Sequence, residues 1–113
     1  MATMSIGGDR LAVTFTTAEK VLALVRDFDV PLSSVTGARL VGTWRDDLRG
    51  MRVGLGLPGV WLLGRWVRPG HRQLVALRRN RPAVYVQLRD AKYDQLLIES
   101  LDPDAVLARL PTI

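Results

Sequence analysis

The stretch Gly50–Gly64 reads GMRVGLGLPGVWLLG, and it admits three readings. Gly54-x-Gly56-x-x-Gly59 has the literal spacing of a dinucleotide-binding fingerprint. The twelve residues from Val53 to Gly64 carry no charge, as a membrane segment would. The glycines and Pro58 also suit turns in a β-rich fold. The surroundings favour the third. A nucleotide fingerprint follows a strand and opens a helix whose N-terminus receives the pyrophosphate. Here Pro58 precedes the last glycine, and VWLLGRWV follows, with β-favouring Val and Trp and a glycine in the middle. The acidic residue expected about 20 residues further on is missing from that region, which reads RRNRP. A spanning helix needs about 20 apolar residues, and this run is shorter and holds four glycines and a proline. Gly54, Gly56 and Gly59 are therefore expected in turns, permitting positive φ or close backbone contact.

Downstream, the strand signal returns four times. VWLLGRWVR is bounded by Pro69–Gly70, and HRQLVALRR by Asn80–Pro82. AVYVQLR alternates best, with Val84, Val86 and Leu88 on one side and Tyr85, Gln87 and Arg89 on the other. YDQLLIES places Leu96 and Ile98 inward. Turn signals arrive about every ten residues, the spacing of an antiparallel meander. The parity of HRQLVALRR stays open, because Leu74 and Leu77 have odd separation.

Upstream, RLAVTFT (10–16) alternates with Leu11, Val13 and Phe15 on one face, as a half-buried strand does. Thr16 and Glu19 have capping-box spacing. Val21, Leu24, Val25 and Phe28 then form an amphipathic helical stripe that Pro31 ends. Val35–Val41 reads as a strand interrupted by Gly37, and 43–59 has loop composition. The chain closes on a second helix. Asp102 is its N-cap, Pro103 its first residue and Asp104 its dipole partner. Val106, Leu107 and Leu110 are its apolar face, and Pro111 stops it. The expectation is one mainly β (α+β) domain over residues 1–113, with 1–9 flexible, six or seven strands and two helices. A meander of short strands exposes two edges. A small barrel of orthogonal sheets plugged by the C-terminal helix would hide them.

The 113 residues suit a single domain, and 48% apolar composition suffices for a packed core. There is no cysteine, which excludes disulfides, thiolate metal sites and a cysteine nucleophile. The start, MATMSIGGDR, lacks the apolar region of a signal peptide. A soluble cytoplasmic protein is the expectation. The net charge of +5 is uneven: Arg45 to Arg89 holds ten arginines against Asp46 and Asp47, +10 − 2 = +8, which leaves −3 elsewhere. Such a block is either a basic surface for phosphates, lipid headgroups or nucleic acid, or a set of solvated strand faces in an arginine-rich sequence.

Nothing in the pattern points to catalysis. His71, the lone histidine, sits at an expected hairpin tip and reads as a solvated turn residue. Asp46 and Asp47 are adjacent and would diverge in extended chain. No catalytic, metal-binding or cofactor-binding residues are assigned, and no cofactor is expected. Trp61 and Trp66 share an expected strand at odd separation, so they face opposite sides. One suits the core. The other suits an interface, or stacking among Arg65, Arg68 and Arg72.

With these motifs placed, the chain resembles the bacterial pleckstrin-homology-like domains, particularly small single-domain proteins of actinobacteria. The resemblance runs through LAVTFTTAEKVLAL, VPLSSV, GMRVGLGLPGV, AVYVQLRDAKYDQLLIES and LDPDAVLARL, in that order. The family's loop pattern is roughly Gly-Leu-Arg-x-Pro-Gly-Thr-x-Leu-Pro-Gly. The chain keeps Gly50, Arg52, Gly54, Leu57, Pro58 and Gly59 and departs at Val53 and Leu55, and Arg65 stands where a small polar residue is usual. The resemblance implies a barrel of two orthogonal antiparallel sheets with a C-terminal helix, the early helix being an insertion after the first strand. It implies no enzyme activity, and some members form homo-oligomers. Eukaryotic domains of related fold bind phosphoinositides near a hairpin loop. No such motif aligns here, so no site is transferred.

Two functions are therefore carried forward. The first is a non-catalytic assembly domain that associates with itself or another protein. Its candidate interface is Leu55, Leu57, Pro58, Val60, Trp61 and Trp66. The second is a peripheral binder of lipid headgroups or nucleic acid. It would use Arg65, Arg68, Arg72, Arg78, Arg79 and Arg81 as a basic patch.

Overall fold

A computed structural model of the chain describes residues 2–23, 25–41, 51–57, 61–78, 82–100 and 102–111, with the backbone alone at 22, 51–57, 61 and 68. The fold is mainly β, built of two sheets with few helices. β1 (Thr3–Gly7), β2 (Arg10–Thr14) and β3 (Phe28–Pro31) make an antiparallel sheet in that order. The larger sheet has six strands: β4 (Val35–Leu40), β5 (Met51–Leu57), β6 (Trp61–Arg68), β7 (His71–Arg78), β8 (Ala83–Leu88) and β9 (Gln95–Glu99). Their order is β4-β8-β9-β7-β6-β5. Among the described residues there are also two short α-helices, α1 (Thr17–Leu22) and α2 (Pro103–Leu107), and a 3-10 turn at Leu32–Ser34. No helix among the described residues is long and apolar enough to cross a membrane.

The expected meander breaks at its centre. β9 lies between β8 and β7, antiparallel to β8 but parallel to β7. The reason lies in composition. LVAL in β7, AVYV in β8 and LLI in β9 are unbroken apolar runs, and such strands belong where both faces are covered. Val84, Val86, Leu74, Ala76, Leu96 and Ile98 join the main core beneath the small sheet. Leu62, Trp66, Val75, Leu77, Tyr85 and Leu97 form a second buried cluster on the opposite face. The odd separation of Leu74 and Leu77 is thereby explained: each belongs to a different core.

The six-stranded sheet does not close into a barrel. Among the described residues, β4 pairs only with β8 and β5 only with β6, so both are edges. At one edge, the Ala38 N–H donates to the carbonyl of Pro111 at 2.8 Å, and this ties the chain after α2 to β4. The expected interruption at Gly37 is a register shift between Val35 and Gly37. Among the described residues nine strands stand where six or seven were expected. One of them, β1, occupies the stretch expected as a flexible lead-in, so the early helix follows the second strand rather than the first.

Within the glycine-rich stretch, β5 and β6 pair antiparallel from Met51–Val67 to Leu57–Trp61. Gly54 and Gly56 lie in β5, where they face Gly64 and Leu62 of β6, rather than in turns. Gly59 lies outside the described residues. Gly64 has φ 149, a backbone that side-chain-bearing residues rarely adopt, and pairing it with Gly54 lets the hairpin coil. Pro69 and Gly70, with Gly70 at φ 74, form the turn into β7.

The capping box of α1 forms as its spacing predicts. The Glu19 N–H donates to Thr16 Oγ1 at 3.3 Å, and the Thr16 N–H to Glu19 Oε1 at 2.9 Å. The helix nonetheless ends at Leu22, short of the predicted stripe. Val21 is 67% exposed, Val25 is buried but lies outside the helix, and Phe28 belongs to β3. Leu24 lies outside the described residues. Tertiary pairing decides this: β3 joins β2 through Val13–Phe28, which draws the chain out of helix before Pro31. At the C-terminus the cap forms as read, with Asp102 Oδ1 accepting from the Ala105 N–H at 3.3 Å, but α2 ends at Leu107, and Leu110, read as part of its apolar face, is buried from the turn that follows.

Candidate anion-binding site

Where α1 approaches the larger sheet, a cavity of about 390 Å³ is lined by Lys20, Val25, Arg26, Arg65, Lys92 and Tyr93. Four of these six carry a positive charge and none a negative one. Three separate segments supply them: α1 with the chain that follows it, β6, and the loop between β8 and β9.

Lys20 is in the last turn of α1. Its Nζ lies 3.0 Å from Asp27 Oδ2, while Asp27 Oδ1 accepts the Phe15 N–H at 2.8 Å. The Phe15 amide and Lys20 together hold the Asp27 pKa below its ordinary value. The loop from β8 to β9 turns at Asp90, whose φ of 54 is a conformation that Asp tolerates. Asp94 then pins the loop to β7. Its Oδ2 accepts the Arg72 N–H at 2.7 Å, and its own N–H donates to the Arg72 carbonyl at 2.8 Å. Between these anchors stand Lys92 and Tyr93.

Tyr93 is buried, and its ring meets Phe28 of β3 edge-on at 5.0 Å. Lys92 Nζ lies 5.7 Å from the Tyr93 ring centroid. Burial pushes the Tyr93 pKa up, against the downward pull of the Arg65 and Arg72 charges. The hydroxyl therefore stays protonated and can donate. Arg65 is half-buried in β6, and its Nε is buried without a hydrogen-bond partner. An unpartnered buried donor costs about 1–3 kcal/mol, more when charged, and Arg65 as a residue lines the cavity.

The expected basic patch divides. Arg65 lines the cavity, and Arg72, exposed at the start of β7, acts on the same Tyr93. Arg78 lies at the other end of β7, six residues and about 20 Å away in extended chain, where its Nε contacts Glu99 Oε2 at 2.7 Å. It is committed to that ion pair. Arg68 ends β6, its side chain undescribed, and Arg79 and Arg81 lie outside the described residues. The cavity's remaining cations come from beyond the arginine block. Lys20 and Lys92 are the chain's only lysines. Arg26 fell within the stretch read as an amphipathic helix. Local sequence carries no sign that these residues converge.

The apolar candidates fare differently. Trp66 is buried within the second cluster, so it belongs to the fold rather than to a free surface. Leu55, Leu57 and Trp61 occupy the β5–β6 hairpin, described in backbone only, and Pro58 and Val60 lie outside the described residues. His71, expected as a solvated turn residue, is half-buried at the start of β7, and its Nε2 is buried without a partner. Trp44, Asp46 and Asp47 lie outside the described residues. Among the described residues, no group of three or more His, Asp or Glu side chains is placed to hold a metal ion. Compared with protein families, curated proteins and solved structures, the chain matches none.

Proposed function

We propose that this chain is a non-catalytic binding domain that receives an anionic group in the cavity between α1, β6 and the β8–β9 loop. The observation that carries the reading is the lining itself: Lys20, Arg26, Arg65 and Lys92, brought from three segments, face one cavity with no acidic residue among its lining. Guanidinium presents a planar fork of donors that matches oxyanions. Tyr93 adds a neutral donor and, with Val25, an apolar wall.

Titration with inorganic phosphate at low ionic strength, followed by calorimetry and by amide chemical shifts, tests the proposal. Saturable binding is expected, with shifts at Arg65 and Tyr93, weakening as salt rises because the site is open to screening. Absence of binding at low salt would overturn it.

A second reading, self-association, is supported by the edge position of β5, since an edge strand offers unpaired backbone groups to another chain. The mass in solution, from size-exclusion chromatography with light scattering, decides it. A concentration-independent monomer rejects the idea. A defined oligomer that Leu57→Asp dissociates, with the circular dichroism spectrum unchanged, supports it. Kinship with the pleckstrin-homology-like domains belongs to the same proposal. It rests on the quoted sequence blocks, the mainly β architecture and the C-terminal helix.

A further inference from the structure

We infer that the group the cavity takes is a phosphate monoester in its dianionic form, a conclusion that rests on the anion-binding reading above. Charge and donor count both point this way. The lining carries four cations and no carboxylate, and Asp27, the acid that contacts Lys20, is also engaged with the Phe15 amide. A monoanionic carboxylate would leave most of that charge uncompensated. A monoester carries about −1.5 to −2 at neutral pH and presents three strong acceptor oxygens.

The lining holds donors enough for three oxygens. Arg65 and Arg26 each bring a guanidinium, Lys92 an ammonium and Tyr93 a hydroxyl. Two forked guanidiniums suit a phosphoryl group as point charges alone would not. The cavity, at about 390 Å³, exceeds what a bare phosphate fills. The esterified remainder would lie against Tyr93 and Val25. A soluble phosphorylated molecule and a lipid headgroup present the same chemistry here.

The test uses the full chain and four probes: glycerol phosphate, acetate, and phosphatidylcholine vesicles doped with either phosphatidic acid or phosphatidylglycerol. Phosphatidic acid displays a monoester, phosphatidylglycerol a diester. Glycerol phosphate is expected to bind roughly tenfold tighter than acetate, the worth of one additional charge-assisted hydrogen bond. Binding is expected to fall by about the same factor in Arg65→Gln, and also in Lys92→Gln, an exposed position that the fold tolerates. Preference for phosphatidic acid over phosphatidylglycerol, with weak binding of glycerol phosphate, supports the monoester and assigns it to a membrane headgroup. Equal binding of monoester and carboxylate, or of the two lipids, overturns the monoester while leaving an anion site standing. Failure to bind any probe removes both. Binding unchanged in both variants overturns the assignment to this cavity.

Discussion

The Phe15 N–H and the Lys20 ammonium converge on one carboxylate, that of Asp27, at 2.8 and 3.0 Å. This clasp closes the excursion from β2 through α1 and back to β3. It also fixes the cation at the lip of the cavity. Asp27 thus connects the local stability of α1 to the geometry of the site.

Acidification should open the clasp. The Phe15 amide, first, and Lys20 depress the Asp27 pKa below the ordinary 3.8, so its contribution is present above that value and is lost as pH falls through the depressed value. Amide exchange at Phe15 is expected to accelerate below about pH 4, and Asp27→Asn to flatten that dependence. Exchange at Phe15 that ignores both changes would show that the clasp contributes nothing.

Gln73 of β7 and Gln95 of β9 face each other on the parallel pair, and the Gln73 side-chain amide donates to Gln95 Oε1. Gln73 is fully buried. Gln73→Leu strands the Gln95 amide and is expected to cost about 1–3 kcal/mol in denaturant unfolding. The double variant Gln73→Leu/Gln95→Leu should recover part of that loss. Additive losses would mean that the two amides do not interact.

Ile98 is fully buried in the main core, whereas Val21 points to solvent. Ile98→Ala is expected to cost about 2–5 kcal/mol. Val21→Ser should stay within about 0.5 kcal/mol. The extended amphipathic helix read from sequence requires the opposite at Val21, so chemical denaturation of these two variants separates the architectures.

Gly70 adopts φ 74 with open space around the position of a Cβ. The cost of a side chain there is conformational rather than steric. Gly70→Ala should lower stability by about 1–2 kcal/mol, and Gly70→Asn by less, since Asn tolerates this region. Equal losses would place the cost in packing instead.

Much of the local structure was legible in sequence. The Thr16–Glu19 capping box, the Asp102 cap with Pro103, the Pro69–Gly70 turn and the alternation of Leu11, Val13 and Phe15 all occur where spacing put them. Each depends on residues within a few positions of one another, so the chain itself holds the whole cause. The resemblance to a closed antiparallel barrel did not reveal β9 inserted beside β7, because apolar runs buried on both faces carry no parity to reveal their neighbours.

Sequence by itself determined the β-rich composition, the caps, the turns and the exclusion of cysteine chemistry. Tertiary structure alone decided the parallel pairing of β7 with β9, the early end of α1 and the company that Arg65 keeps. Strand order and cavities arise from contacts between segments distant in sequence. Lys20, Arg65 and Lys92 become neighbours only when two sheets pack and the Asp94 anchor and the Asp27 clasp set their loops.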